Sequence, residues 1–292
     1  MGKICFFMLC ILGFVGTVHA AGDYTLVSGD YRICISPKYK HTIRSIEWKG
    51  YMIGTATGYY GAIVIPAPGK YIGAGHTEGG VEDVKSVIVV CDGRKVDPEA
   101  EKVIRGERIT VEKISGFDNL LFRVRLELTP EGLIETKRFV AQADQKFQLF
   151  YAHIFCFDKK TTDYFARTGR GGRISRKFTG ERVAWHINSN VKYVAQYNAE
   201  KKTGVLLYYP TVIEGAVRKA CIWEVPKAYH KFYMMAKVPG HVPAGWQSPV
   251  YTVILRCFES ENVEAFPAKT DAEASAAAAI PVASLPLDGL TG

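Results

Sequence analysis

The sequence predicts an all-β fold, a large antiparallel β-sandwich in a single domain. Three observations predict it: apolar residues recur with a period of two, turn signals separate those runs, and no stretch shows the three-and-four spacing of an amphipathic helix. Phe122, Val124, Leu126 and Leu128 alternate with Arg123, Arg125, Glu127 and Thr129, the pattern of a half-buried strand. Thr129-Pro130-Glu131-Gly132 turns the chain, and Leu133–Ala141 returns. Ala143-Asp144-Gln145 turns it again into Lys146–Phe157, apolar on both faces and therefore central in a sheet. Val84–Cys91 and Lys95-Val96 flank Asp92-Gly93, a pair suited to a two-residue hairpin. Later strands are predicted at Tyr193–Asn198, Val205–Pro210, His230–Val238 and Val250–Phe258. Each strand has an apolar face to bury, which stacked sheets or a barrel accomplish.

Composition agrees with a packed domain. The chain has 292 residues, 48% hydrophobic and 23% charged, which excludes intrinsic disorder, a collagen-like fibre and a multi-span membrane protein. From Ala268 onward Ala, Ser, Pro and Thr dominate, so 268–292 is expected to be a flexible tail and 21–267 the folded domain. Residues 1–20 read as a secretory signal: Lys3, then the apolar run Ile4–Val18, then Val18-His19-Ala20 before the cleavage point. A lipoprotein reading on Cys10 is weaker, because bulky Leu9 precedes it. The mature protein is expected to be secreted or periplasmic, with no integral membrane segment after cleavage. Five cysteines then remain (Cys34, Cys91, Cys156, Cys221 and Cys257), with no CxxC pair, so at most one or two disulfides are expected. Cleavage removes Lys3 alone among the charged residues, leaving 36 basic against 29 acidic, a balance of +7 that favours anionic partners. For an exported protein those are acidic glycans rather than nucleic acid; the same balance also serves simple solubility.

The mature domain opens Gly29-Asp30-Tyr31-Arg32-Ile33-Cys34-Ile35-Ser36-Pro37, then Ile43-Arg44-Ser45-Ile46-Glu47-Trp48-Lys49-Gly50. This pair of strands, with its Ser-Pro ending and Gly turn, resembles the first hairpin of the galactose mutarotase-like β-supersandwich. The order of hairpins that follows is similar across most of residues 24–266. In that family the sandwich forms aldose epimerases and accessory domains of polysaccharide lyases and glycoside hydrolases. The resemblance implies a concave sheet face that receives a sugar. Trp185-His186-Ile187-Asn188 is the nearest echo of the epimerases' Asn-His segment, with different spacing, and places His186 among the catalytic candidates.

Three segments carry residues suited to chemistry. In Gly73-Ala74-Gly75-His76-Thr77-Glu78-Gly79-Gly80, glycines flank His76 and Glu78, which share one side of an extended chain and can pass protons near neutral pH. Together with Glu82 they also sketch half of a metal site, although no cofactor is expected and metal is the weaker reading. Arg167, Arg170 and Arg173 lie in the glycine-rich basic stretch Arg167–Lys177, whose guanidinium groups suit the carboxylate or sulfate of an acidic sugar. In Tyr229-His230-Lys231-Phe232-Tyr233, strand geometry puts Tyr229, Lys231 and Tyr233 on one side, offering phenols and an ammonium for proton transfer, with His230 and Phe232 on the other. Trp48 and Trp185 are candidate stacking platforms, whereas His153, in an apolar strand, reads as a satisfied core residue. The bland alternatives are a solvated loop for the first two segments and packed core for the third.

These features together predict an exported carbohydrate-active protein, favoured as an enzyme moving a proton on a sugar: epimerase-like, or a lyase on an acidic polysaccharide. A non-catalytic carbohydrate-binding protein and a structural cell-envelope protein are the alternatives.

Overall fold

The computed structural model describes residues 22–57, 60–75, 82–210, 217–282 and 284–286. Their strands form two large sheets. The first runs, in spatial order, Val183–Ser189, Val217–Val225, Tyr229–Ala236, Phe147–Asp158, Tyr51–Gly54, Thr42–Trp48, Tyr31–Ser36, Tyr24–Ser28 and Val103–Arg105, with Ile63–Pro66 also paired to Phe147–Asp158. The second runs Arg173–Lys177, Asp163–Thr168, Val191–Asn198, Thr203–Tyr208, Tyr251–Glu259, Gly132–Ala141, Leu120–Thr129, Ile109–Phe117, Asp83–Cys91 and Arg94–Val96. Every described pair is antiparallel except Tyr24–Ser28 with Val103–Arg105. The strands expected from alternation lie within two residues of their observed ends.

Inner faces interdigitate into one core. Ile33, Ile46, Phe139, Phe150, Phe155, Leu207 and Leu255 are fully buried there. Phe139 sits edge-on to Phe150 at 4.8 Å and stacks with Phe122 at 5.6 Å, geometries that add to the burial of the rings. Phe147–Asp158 pairs with Tyr229–Ala236 and, on its other edge, with Ile63–Pro66 and Gly54, the central position its apolar character requires. The five described cysteines are free thiols, and all but Cys34 are buried as small hydrophobes.

The first part of the expected flexible tail differs from that expectation: Phe266–Ala278 is an α-helix docked on the outer face of the second sheet. That face carries Ile134, Phe165, Leu206, Tyr208, Ile254 and Phe258, all of which need cover. Phe266 stacks on Tyr197 at 5.0 Å and on Phe258 at 6.0 Å, and Ala274 and Ala277 are small enough to bring the helix close. Alanine also costs least to hold in a helix. Arg167 grips Asp271 through two hydrogen bonds of 3.2 and 2.6 Å, and Arg256 binds Glu273 at 2.9 Å. The composition of this segment does not reveal the helix, because the surface that covers it comes from strands earlier in the chain, from Ile134 to Phe258. No helix among the described residues is long and apolar enough to cross a membrane.

Candidate functional site

The alternation that sends Ile222 and Phe232 into the core sends Glu224 and His230 the same way, two residues further along their strands. These two are direct cross-strand partners at the end of a hairpin. His186 joins them from the neighbouring edge strand. There the pairing slips between Val183 and Ile187, and Trp185 takes a positive φ of 70°, a bulge that turns His186 inward beside Ile187. His186 Nε2 lies 2.6 Å from Glu224 Oε2, and His230 Nε2 lies 3.9 Å from Oε1. Thr179 donates to the same carboxylate from its backbone N–H at 2.8 Å and its hydroxyl at 3.0 Å, and the Gly180 N–H donates to Oε1. Burial alone would raise the Glu224 carboxyl, but these bonds outweigh it and hold the group below the usual carboxylate range.

Tyr164 of the second sheet and the flanking Thr161 and Phe178 close the site from the other side. Thr161 Oγ1 is 2.6 Å from His230 Nδ1, Phe178 stacks on the His230 ring at 3.7 Å, and Tyr164 Oη is 3.3 Å from His186 Nδ1. Burial pushes His230 down to about 4, against the attraction of Glu224, so its imidazole is neutral at neutral pH. The floor of Glu224, His230 and Phe178 opens into a cleft of ≈ 540 Å³ whose rim carries Lys159, Lys177 and Lys227. Chemically this is an ionised carboxylate, a neutral imidazole with its partners fixed, and a ring of cations.

Of the residues singled out from the sequence, His186 comes nearest this cleft: it does not line it, but its side chain lies buried behind the floor, bonded to Glu224. His76 and Glu78 lie outside the described residues. Glu82, the third group of the metal sketch, is buried, paired with Lys113 at 2.6 Å and accepting the Gly75 N–H. Tyr229, Lys231 and Tyr233 share one face as expected, but it is the face of the first sheet opposite the cleft. Lys231 is buried there with its ammonium over both rings, 5.6 and 5.0 Å from their centroids. Trp185 is on that face too, 38% exposed and edge-on to Trp223 at 5.7 Å. Trp48 is only 7% exposed and packs against Tyr31 at 6.4 Å, so it is core and no open platform. Arg167 is committed to Asp271, and Arg173 is exposed over the Phe165 ring at 5.3 Å. Arg170 is exposed in the loop between. Thus the arginines do not line the cleft, whereas Lys177 of the same basic stretch does.

His153 is a buried core residue, as expected: its Nδ1 lies 2.6 Å from Glu135, which also pairs with Lys137 at 3.1 Å. Sequence reading missed Glu224, His230 as a site residue, and Thr161. The available signal was a carboxylate and an imidazole at strand positions whose neighbours two residues away are core.

Comparison of the sequence with protein-family models and with curated protein sequences finds no match. Solved structures do match. The galactosidase domain of the alpha-galactosidase–sucrose kinase AgaSK aligns over 82% of this chain and 41% of its own, at 9% identity and a TM-score of 0.54. The alpha-galactosidase from Lactobacillus brevis aligns over 83% and 40%, at 8% identity and a TM-score of 0.51. A galactose mutarotase-like protein from Clostridium acetobutylicum aligns over 80% and 94%, at 11% identity and a TM-score of 0.49. This chain therefore shares its β-sandwich fold with the two galactosidases. It spans about two fifths of the galactosidase chains, and at such identities the likeness is one of fold.

Proposed function

We propose that this is an exported carbohydrate-active enzyme that moves a proton on an acidic glycan held in the lysine-rimmed cleft. The observation that carries the reading is the pair Glu224 and His230 at the floor of a lysine-rimmed cleft, with His186 bonded to Glu224 behind them. Proteins named for galactose chemistry share the fold, which supports a sugar as the ligand. Export rests on the Lys3 to Ala20 segment.

The rim lysines neutralise the carboxylate of a uronate unit, which makes the hydrogen on the adjacent ring carbon acidic. His230 Nε2 takes that proton, and Glu224 stabilises the imidazolium so formed. The electron pair left behind forms the new carbon–carbon double bond as the glycosidic oxygen leaves, and the imidazolium returns the proton to that oxygen. An anionic ligand in the cleft also raises the His230 basicity that burial has lowered. The epimerase form of the reading uses the same groups on the anomeric hydroxyl of a simple aldose.

The test is a panel of uronic and neutral polysaccharides followed by ultraviolet absorbance of new unsaturated ends, with mutarotation of aldoses read separately. The expected result is absorbance on a uronic substrate, lost by about 10²–10⁴-fold in Glu224→Gln and His230→Gln. Full activity in both variants overturns the assignment. A second reading, binding without turnover, is favoured by the exposed Trp185 beside Trp223, which in turn packs on Tyr233. It predicts glycan affinity lost in Trp185→Ala and kept in Glu224→Gln.

A further inference from the structure

We infer that the recess on the far side of the Asp158–Thr162 turn binds one neutral sugar unit. Its wall is built from both sheets: Tyr51, Met52 and Asp158 from the first, Gln196, Asn198 and Thr203 from the second. Its volume, ≈ 240 Å³, is smaller than the roughly 300–1,000 Å³ of sites for drug-sized ligands and suits a single ring. The wall offers a carboxylate, two carboxamides and two threonine hydroxyls, the complement of a ring bearing several hydroxyl groups. Tyr51, 41% exposed, supplies an apolar surface at the lip.

The strongest pointer is Gln196. It is 2% exposed, and its Nε2 has no hydrogen-bond partner. Its Oε1 lies 3.0 Å from Thr161 Oγ1, which also touches the Asp158 carbonyl at 3.1 Å and His230 Nδ1 at 2.6 Å. Rotating the amide only exchanges the orphan: Nε2 then donates to Thr161 and Oε1 is left unmatched. Either way this buried wall residue holds one unused polar atom, which costs free energy until a ligand answers it.

Charge selects the neutral unit. Two cations reach the recess, but Lys201 pairs with Glu200 at 2.7 Å and sits over Tyr51 at 5.5 Å, while Lys160 lies 4.0 Å from Glu200. Asp158 in the wall then disfavours an anion. The neighbouring cleft, with three rim lysines, has the opposite preference. Thr161 lines both, so the two recesses are adjacent and chemically distinct.

The inference is tested on the full mature chain by following the side-chain amide resonances of Gln196 during titration with methyl glycosides of neutral hexoses, with methyl glucuronide as the charged comparison. The expected result is saturable shifts with at least one neutral glycoside in the millimolar range, weaker with the uronide. Gln196→Leu is expected to cut the affinity at least tenfold; Tyr51→Ala, at an exposed site that leaves the fold intact, is expected to cut it several-fold. Glu224→Gln is expected to leave it unchanged, which separates this recess from the proposed catalytic cleft. Unmoved Gln196 resonances throughout the neutral panel, or tighter binding of the uronide than of every neutral glycoside, overturn it.

Discussion

Two histidine–glutamate pairs, each closed at 2.6 Å, sit in this sandwich in opposite circumstances. His153 and Glu135 lie inside, walled in by Lys137 at 3.1 Å from Glu135, with the Lys113–Glu82 pair at 2.6 Å nearby. Burial alone would raise the Glu135 carboxyl, but Lys137 and His153 hold it at about 2. His186 and Glu224 instead meet at a cleft, where backbone N–H groups and a threonine, rather than lysines, stabilise the carboxylate. The difference shows how one chemical pair serves two ends. Where ammonium groups balance it in the interior, it holds strands together. Where hydrogen bonds balance it beside an opening, the ionised Glu224 stands next to the neutral imidazole of His230, within reach of an incoming ligand.

The comparison breaks most decisively in unfolding experiments. Glu135→Leu leaves Lys137 and His153 buried without their counter-charge and is expected to cost about 3–5 kcal/mol in urea unfolding. Glu224→Gln keeps an acceptor for Thr179 and is expected to cost less than about 2 kcal/mol. Equal losses would erase the distinction. Acid sharpens it next. An unfolded glutamate titrates near 4.5 while Glu135 in the folded chain titrates at about 2, so its contribution is present above 4.5 and lost as pH falls toward 2. His230 acts over a different window. The unfolded imidazole gains a proton below 6.5, whereas the folded one stays neutral to about 4, so stability already falls between those values, by on the order of 2–3 kcal/mol. Chemical unfolding of His230→Gln from pH 7 to 2 should lose that upper slope and keep the lower one. The smallest effect is at the rim: Lys177→Met should change stability by no more than about 0.5 kcal/mol, yet weaken binding of a uronic oligosaccharide, measured by calorimetry, about tenfold.

Most of the fold was legible because a two-residue period is local. Phe122 to Thr129 announces its own strand, and Asp92-Gly93 its own hairpin. The site was only half legible because its members meet through sheet pairing. Glu224 faces His230 across a hairpin, but His186 reaches them only through the bulge at Trp185, and Thr161 only because the other sheet folds over. A strictly alternating strand would have put His186 on the outer face, and nothing in Val183–Ser189 encodes the slip. Arg167 misled for a related reason: its partner Asp271 is on a helix more than a hundred positions away, so a structural clamp read as a ligand hook.

That docked helix has a practical consequence. Trimming everything after Pro267 as a dispensable extension would strip the shelter from Phe165, Tyr208 and Phe258 and leave a greasy, self-associating surface. Anyone preparing this protein for crystals or assays should therefore keep the C-terminal residues and place purification tags beyond them.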